Sequence, residues 1–487
     1  MYKEQESQVN VFQFAAPWGG RLDPENRWVK LAEIIPWGEI EKEYASKFTS
    51  FKGNVAKPAR LAFGALVVQA KLDMRDRECA DTIAENMYIQ YFLGFSEFQP
   101  HPPVSASTFV YFRKRITAQG IARINDILCG IEEAEKDDRD PPDEDGDNDG
   151  TLILDATCAP QDIKFPTDVT LLNEAREKLE MYIGKVFKPF RGALTKPKMD
   201  REKARKAFLD IVKGRKWKAS QMRSAVGRQL KYVRRDLESL DRLLALPGHG
   251  ELKDTEKAKL ATIRVLYAQQ EHMFRTRTHR VDDRIVSISQ SHVRPIIRGK
   301  AGCNCEFGAK ISISVKNGYS FVDRLAWDNF SEGSLLQEQC LGYYRRFGCW
   351  PERILADKAY RTQDNHRFCK EKHIAMIGPK LGRPPKDVDP RERDKWIKES
   401  GERNEVESKF GVSKRRYGLD LIMCKLQETS ETEIMFQFIV MNAEHRIRVE
   451  ERKRRKRMQQ AKKRQLKQRI IAIVETVQPR DNYCFAG

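Results

Sequence analysis

Three carboxylates in this chain stand where a carboxylate can do chemistry: Asp155, Asp357 and Glu407. Four apolar or β-favouring residues lead into Asp155 in TLILDAT, and RILA leads into Asp357 in RILADKAY. Both segments read as short buried strands that deliver an aspartate at the C-terminal end. Glu407 lies in KWIKESGERNEVESKFGVSKRR, which reads as a helix. Arg403 precedes it by four residues and Lys414 follows it by seven, so the three project from one helix face with Phe410 between them. Glu405 faces nearly the opposite side and is the second candidate on that helix. Carboxylate oxygens are natural ligands for hard divalent cations. Two such ions roughly 4 Å apart activate an attacking oxygen and stabilise a leaving oxygen at a phosphodiester. A carboxylate flanked by two cations suits a site that holds metal and phosphate together. Each piece alone has a plainer reading: a strand-end aspartate is often a turn or helix cap, and an i,i+4 Arg–Glu pair is common on exposed helices.

The elements that must position these residues follow from hydrophobic periodicity. Strand text resumes at RIVSISQ and continues through EFGAKISISVKNGYSFVDRLAWDNF, where Asn-Gly marks a hairpin turn. SLLQEQCLGYYRRFG reads as a helix, RILADKAY as a strand, NHRFCKEK as a helix, HIAMIGP as a strand and ETEIMFQFIVMNAEHRIRVE as a helix, with the polar, Pro-rich loop KLGRPPKDVDPRERD before the Glu407 helix. Between Asp155 and this set lies a charged helical block, about 168–280. There Val226, Leu230, Val233, Leu237, Leu240 and Leu244 make a heptad seam. LPGHGE makes a turn, and Leu260, Ile263, Tyr267 and Phe274 form a second stripe, so an antiparallel helical hairpin is expected. With this block set aside, the order of strands and helices is that of an RNase H-like α/β fold.

The expected organisation is an α-helical N-terminal domain (1–131), an acidic linker (132–150), an RNase H-like α/β catalytic domain (151–445) with a large all-α insertion (about 168–280), and a basic tail (446–487). The linker, EEAEKDDRDPPDEDGDNDG, is too polar to pack and lacks the spacing of a calcium loop. In the N-terminal part, LAFGALVVQAKLDM and CADTIAENMYIQYFLGF are apolar helices, and HPPVSASTFVYFRKRI is a turn leading into a basic helix. Such a helical domain is a candidate DNA reader, and equally an ordinary bundle.

Composition limits the choices. The 487 residues carry 89 Lys+Arg against 70 Asp+Glu, a net charge of +19. That balance favours a polyanionic partner, because each neutralised phosphate releases condensed counterions. The tail ERKRRKRMQQAKKRQLKQR concentrates the charge and is either a phosphate-contacting helix or arm, or a solubilising one. No apolar run approaches the roughly 20 residues of a membrane span, and MYKEQESQVNVFQFAAPWGG lacks the layout of a signal peptide. A soluble, intracellular protein is expected. The 10 cysteines are scattered, and Cys303 and Cys305 have no second pair at zinc spacing.

These segments together resemble the bacterial insertion-sequence transposases with a DDE catalytic domain, in the broad group related to insertion sequences four and five. LILDATCAPQDIKFPTD resembles that group's first-aspartate strand, EFGAKISISVKNGYSFVDRLAWDNFSEG its central hairpin, and ILADKAYRT its second-aspartate block, with Tyr360 following Asp357. RNEVESKFGVSK resembles the block around the glutamate, in which an arginine lies four before and a lysine seven after. The group's pattern has a tyrosine three before that arginine, where this chain has Ser400. The segment 58–120 resembles the group's N-terminal domain. The resemblance implies that Asp155, Asp357 and Glu407 are catalytic and coordinate two Mg²⁺ ions, for which Mn²⁺ can substitute. It implies that Arg403 and Lys414 hold DNA phosphate. It further implies cleavage at the terminal inverted repeats of a mobile element, transesterification of the freed 3′-hydroxyl into target DNA, a homodimer or larger assembly on double-stranded DNA, and a place in the bacterial cytoplasm at the nucleoid. Asp162 and Asp168 are candidates for support of Asp155, with helix capping the simpler role for Asp168. The alternatives are a metal-dependent RNase H-like nuclease, a domesticated non-catalytic DNA-binding protein, and a helical scaffold binding nucleic acid through charge.

Overall fold

The computed structural model describes residues 1–3, 10–49, 53–131, 148–214, 216–300, 303–378 and 390–477. Most of the acidic linker, residues 380–389 of the Pro-rich loop and the end of the basic tail lie outside the described residues.

Among the described residues seven α-helices precede the sheet: α1 (Arg27–Ile34), α2 (Trp37–Ala45), α3 (Ala59–Leu72), α4 (Asp76–Glu85), α5 (Met87–Phe92), α6 (Ala106–Arg115) and α7 (Ala118–Leu128). The first ten residues of α3, Ala59–Val68, are all buried, as an ARLAFGALVV run with almost no polar face requires. The three cations that end α6 each have a partner, though only the first is buried. Arg113 is buried against Asp76, Lys114 pairs with Glu428, and the Arg115 guanidinium lies over Phe48.

The sheet comprises β1 (Thr151–Pro160), β2 (Arg294–Lys300), β3 (Cys303–Lys316), β4 (Tyr319–Ala326), β5 (Arg353–Leu355) and β6 (Ala375–Ile377). β3 runs antiparallel to β1 and β4, while β5 is parallel to β1 and β6 parallel to β5. Gly308 pairs with Pro160 on one side and Arg294 on the other, so β2 extends the edge of β3 that β4 occupies further on. Asn317 and Gly318, both at positive φ, make the β3–β4 turn that Asn-Gly predicts. RIVSISQ is not a strand. Its apolar residues are buried because the segment joins two cores: Val286 packs with the sheet, Ile285 and Ile288 with the helices before it.

Between β1 and β2 run α8 (Asp168–Val186), α9 (Arg201–Lys213), α10 (Ala219–Leu244) and α11 (Asp254–Thr276), around a hydrophobic core of their own. The α10 seam buries Val226, Leu230, Val233, Leu237 and Leu240, but at its end Leu243 turns inward where the heptad pointed to Leu244. On α11 the buried line is Leu260, Ile263, Leu266 and Met273, with Tyr267 and Phe274 packed at its margin.

The two faces of the sheet are covered differently. α12 (Leu336–Phe347) and α13 (Gln363–Glu371) contribute to a core with Leu152, Leu154 and Ile354. Ile153 and Leu355 belong to the opposite core, with α14 (Pro390–Arg416), α15 (Gln427–Val477) and the N-terminal helices. α15 unites these parts. Phe436 packs on Phe63 of α3 with ring centroids 4.8 Å apart, and the fully buried Asn442 bonds both Asn125 of α7 and Ser320 of β4. The helix then continues unbroken into the basic tail.

Candidate active site

Asp155 lies in the middle of β1 and not at its end, since the strand runs on to Pro160 paired with β3. What ends near Asp155 is the pairing with β5, whose last partners are Ile153 and Leu355. Asp155 and Asp357 each follow those residues by two positions, and alternation places Asp155 on the Ile153 face. Asp357 accepts the Lys358 backbone N–H at 2.6 Å and caps the short 3-10 turn Lys358–Tyr360. The Asp155 carboxylate accepts the Ala156 N–H at 2.8 Å.

α14 covers the same face. Val406 and Phe410 turn inward to the core containing Ile153 and Leu355, and Arg353 of β5 pairs with Glu402 at 2.8 Å. Arg403 binds Glu407 at 2.7 Å, and Arg403 is close enough for its charge to favour the Asp155 carboxylate. Glu407 is about half exposed. Glu405 lines a groove with Thr151, Ile153, Asn317 and Arg353, toward the start of β1. Lys414 is half-buried further along α14, and Ser400 is half-buried one turn before Glu407's arginine.

Burial pushes the Asp155 carboxyl up to about 6, and the neighbouring charges of Glu332 and Asp357 push the same way. Glu332 was not foreseen. It sits in the loop after β4, held by Lys310 of β3 at 3.0 Å, while the Lys310 ammonium also binds the Phe330 carbonyl at 2.8 Å. The buried Asn365 staples this loop to the Asp357 turn, donating to the carbonyls of Gly333 at 2.7 Å and Tyr360 at 2.8 Å. A side chain at Gly333 would meet the Ala359 carbonyl at 2.5 Å, so glycine permits the approach. The only sequence signal for Glu332 was a carboxylate before a glycine directly after the hairpin.

A buried polar chain lies beneath the site. Tyr360 is fully buried, its hydroxyl directed at Ser312 without completing a hydrogen bond. Gln339 donates to Ser312 at 3.0 Å and to Asp323 at 2.9 Å, and Arg346 bridges Asp323 at 3.2 Å to Asp126 of α7 at 3.3 Å. Asp323 is the extra residue of a bulge in β4, since Ile313 pairs with Val322 and Ser312 with Arg324. Asp168 is the first residue of α8, whose cap is Thr167; its carboxylate binds Gln270 and Arg284 within the insertion. Asp162 contributes backbone bonds to Ile422 and Gln290.

Among the described residues no three carboxylate, imidazole or thiolate groups converge closely enough to hold one ion. The donor set nonetheless fits a divalent cation. It is made of hard oxygens, and a bound cation would offset the burial of Asp155 and, secondarily, the negative charges of Glu332 and Asp357 that raise it.

Residues 354–444, which include Asp357 and Glu407, match the family described as Transposase DDE domain. Residues 17–115 match Transposase domain (DUF772). A protein described as uncharacterized protein ORF8 in nfe locus, from Rhizobium meliloti, is 30% identical over 158 residues, 32% of this chain and 73% of the relative. No solved structure gives a significant match. The fold is mixed α/β, and the chain belongs to the bacterial insertion-sequence transposases with a DDE domain. Among the described residues no helix is long and apolar enough to cross a membrane.

Proposed function

We propose that this transposase cuts the terminal inverted repeats of its element and joins the freed 3′-hydroxyl to target DNA, using Asp155, Asp357 and Glu407. The observation that carries the reading is the placement of Asp155 and Asp357 just beyond the last β1–β5 pair, on the face that α14 covers with Arg403 and Glu407. The strand order β4-β3-β1-β5-β6, with three antiparallel strands followed by two parallel ones, supports an RNase H-like catalytic fold carrying α8–α11 as an insertion.

The three carboxylates would hold two Mg²⁺ ions, with Mn²⁺ able to substitute. Bound there, the ions lower the pKa of water and stabilise charge on the departing oxygen. Arg403 orients Glu407 and, with Lys414, binds the phosphate that carries the reacting bond. Lys310 holds Glu332 at the edge of the site. In cleavage, water oxygen bonds to phosphorus and a 3′-hydroxyl leaves; in joining, that hydroxyl oxygen bonds to a target phosphorus and a target 3′-oxygen leaves with the proton. Pairing two ends favours a homodimer or larger assembly on double-stranded DNA at the nucleoid.

The test uses purified full-length protein, Mg²⁺ and DNA bearing the element's ends. Cleaved and joined products are expected, and Asp155→Asn and Asp357→Asn should abolish both while DNA binding remains. Cleavage without joining would instead identify a nuclease, and binding without either a domesticated DNA-binding protein.

A further inference from the structure

We infer that the exposed end of α15 is a duplex-binding arm, which grips the phosphate backbone through one basic stripe away from the carboxylate site. From Arg452 to Ile470 the chain contains no Asp or Glu, and every residue is exposed. The last anchors of α15 to the body are Lys30–Glu451 at 2.8 Å and Arg454–Glu25 at 3.2 Å, beside α1. Among the described residues, no ion pair holds a cation beyond Arg454. Unneutralised like charges at i,i+3 and i,i+4 disfavour a helix, so this segment gains stability from a polyanion laid along it.

The cations are also sorted by face. At about 100° per residue, Lys456, Arg457, Lys463, Arg464 and Lys467 fall within an arc of about 120°, whereas Arg455, Lys462 and Arg469 lie on the other side. From Lys456 to Lys467 the helix advances about 17 Å, over which a duplex presents about ten phosphates. Five cations match the strand that faces them. The basic end of α6 presents less free charge, because Arg113 is buried against Asp76, Lys114 already pairs with Glu428 and Arg115 lies over Phe48. The inference rests on the reading above only in choosing DNA as the polyanion.

The experiment measures affinity for a duplex lacking the inverted repeats, as a function of salt, for the full chain and two glutamine variants. One carries Lys456→Gln, Arg457→Gln, Lys463→Gln, Arg464→Gln and Lys467→Gln; the other carries Arg455→Gln, Lys462→Gln and Arg469→Gln. The first should reduce the magnitude of the slope of log K against log salt by up to about 4.5, at about 0.9 per phosphate released. The second should leave it nearly unchanged. Both should retain the native thermal transition, since these side chains touch nothing in the core. An unchanged slope in the five-site variant overturns the inference, whether or not its binding to anionic phospholipid vesicles falls. A wild-type protein that binds with a steep slope but never cuts or joins ends would sink the proposed mechanism and leave the arm standing.

Discussion

Asp155 and Asp357 sit two residues beyond Ile153 and Leu355, the last partners of two parallel strands. Two carboxylates are thereby brought to the fork where the strands part, on the face covered by α14. Backbone pairing thus brings the two chain segments together immediately before both carboxylates.

That arrangement has a cost, which gives the first prediction. In the unfolded chain the Asp155 carboxyl titrates near its ordinary 3.8; folded, burial and the charges of Glu332 and Asp357 raise it to about 6. Between those values the folded state binds more protons than the unfolded one. Stability contributed here is therefore present at low pH and lost as pH rises through about 6. Asp155→Asn should accordingly stabilise the metal-free protein at pH 8 by about 1–2 kcal/mol, allowing for partial exposure, while eliminating end cleavage. Urea unfolding with chelator present reads this out. The gap should close near pH 4, and a less stable variant at pH 8 would refute the account.

The third carboxylate supplies the second prediction. Glu407 shares Arg403 with the Asp155 environment, Glu332 reaches Asp155 from the opposite loop, and Glu405 lines a separate groove. Glu407→Gln should abolish cleavage and joining. Glu332→Gln should slow them by about 10–100-fold, as expected for a group that supports metal ligands. Glu405→Gln should leave stability within about 0.5 kcal/mol and both reactions intact. Cleavage kinetics of the three purified variants would expose a wrong assignment, most directly if Glu405→Gln were the inactive one.

The sequence was most legible where chemistry and periodicity coincide. Arg403, Glu407 and Lys414 announce a helix face because their spacing and their charges point the same way. The strands before Asp155 and Asp357 are legible as apolar runs, but a run does not tell which neighbour stops pairing first, so Asp155 was expected at a strand end and lies mid-strand. RIVSISQ alternates like a strand because its residues serve two cores on opposite sides. Glu332, with its single weak signal, and Asp323 were hard to read for a different reason. One is positioned by a staple from Asn365 and the other by a one-residue bulge, and both are decided by tertiary contacts.

Arg346 offers a third prediction. It pairs with the buried Asp323 and with Asp126, linking the sheet to α7. Burial raises the Asp323 carboxyl, and the Arg346 guanidinium opposes that shift. Arg346→Met leaves a buried carboxylate without its cation and should cost about 3–5 kcal/mol. Adding Asp323→Asn should return part of that loss, because the neutral amide no longer needs the cation. Denaturant unfolding of the single and double variants measures the coupling, and strictly additive losses would show that the pair is not coupled.

Asn442 tests whether the N-terminal helices and the sheet act as one folding unit. Its amide donates to Asn125 at 2.8 Å and to the Ser320 carbonyl at 2.7 Å, and it accepts the Ser320 N–H at 2.9 Å, all without access to solvent. Three elements, α7, β4 and α15, therefore depend on one side chain to satisfy buried polar groups. Asn442→Leu fills much of the space but leaves those groups unpaired, which costs more than the lost hydrogen bonds themselves. A loss of about 2–4 kcal/mol is expected. Because Ile153, Phe63 and Phe436 belong to one apolar core, the wild-type helices and sheet should unfold together. In Asn442→Leu that shared transition should move to lower denaturant, with fluorescence of Trp28 beside α3 and Trp327 at the end of β4 changing in step. Trp28 and Trp327 signals that separate in the wild-type protein would show two independent units, and would remove the basis for assigning α15 the role of joining them.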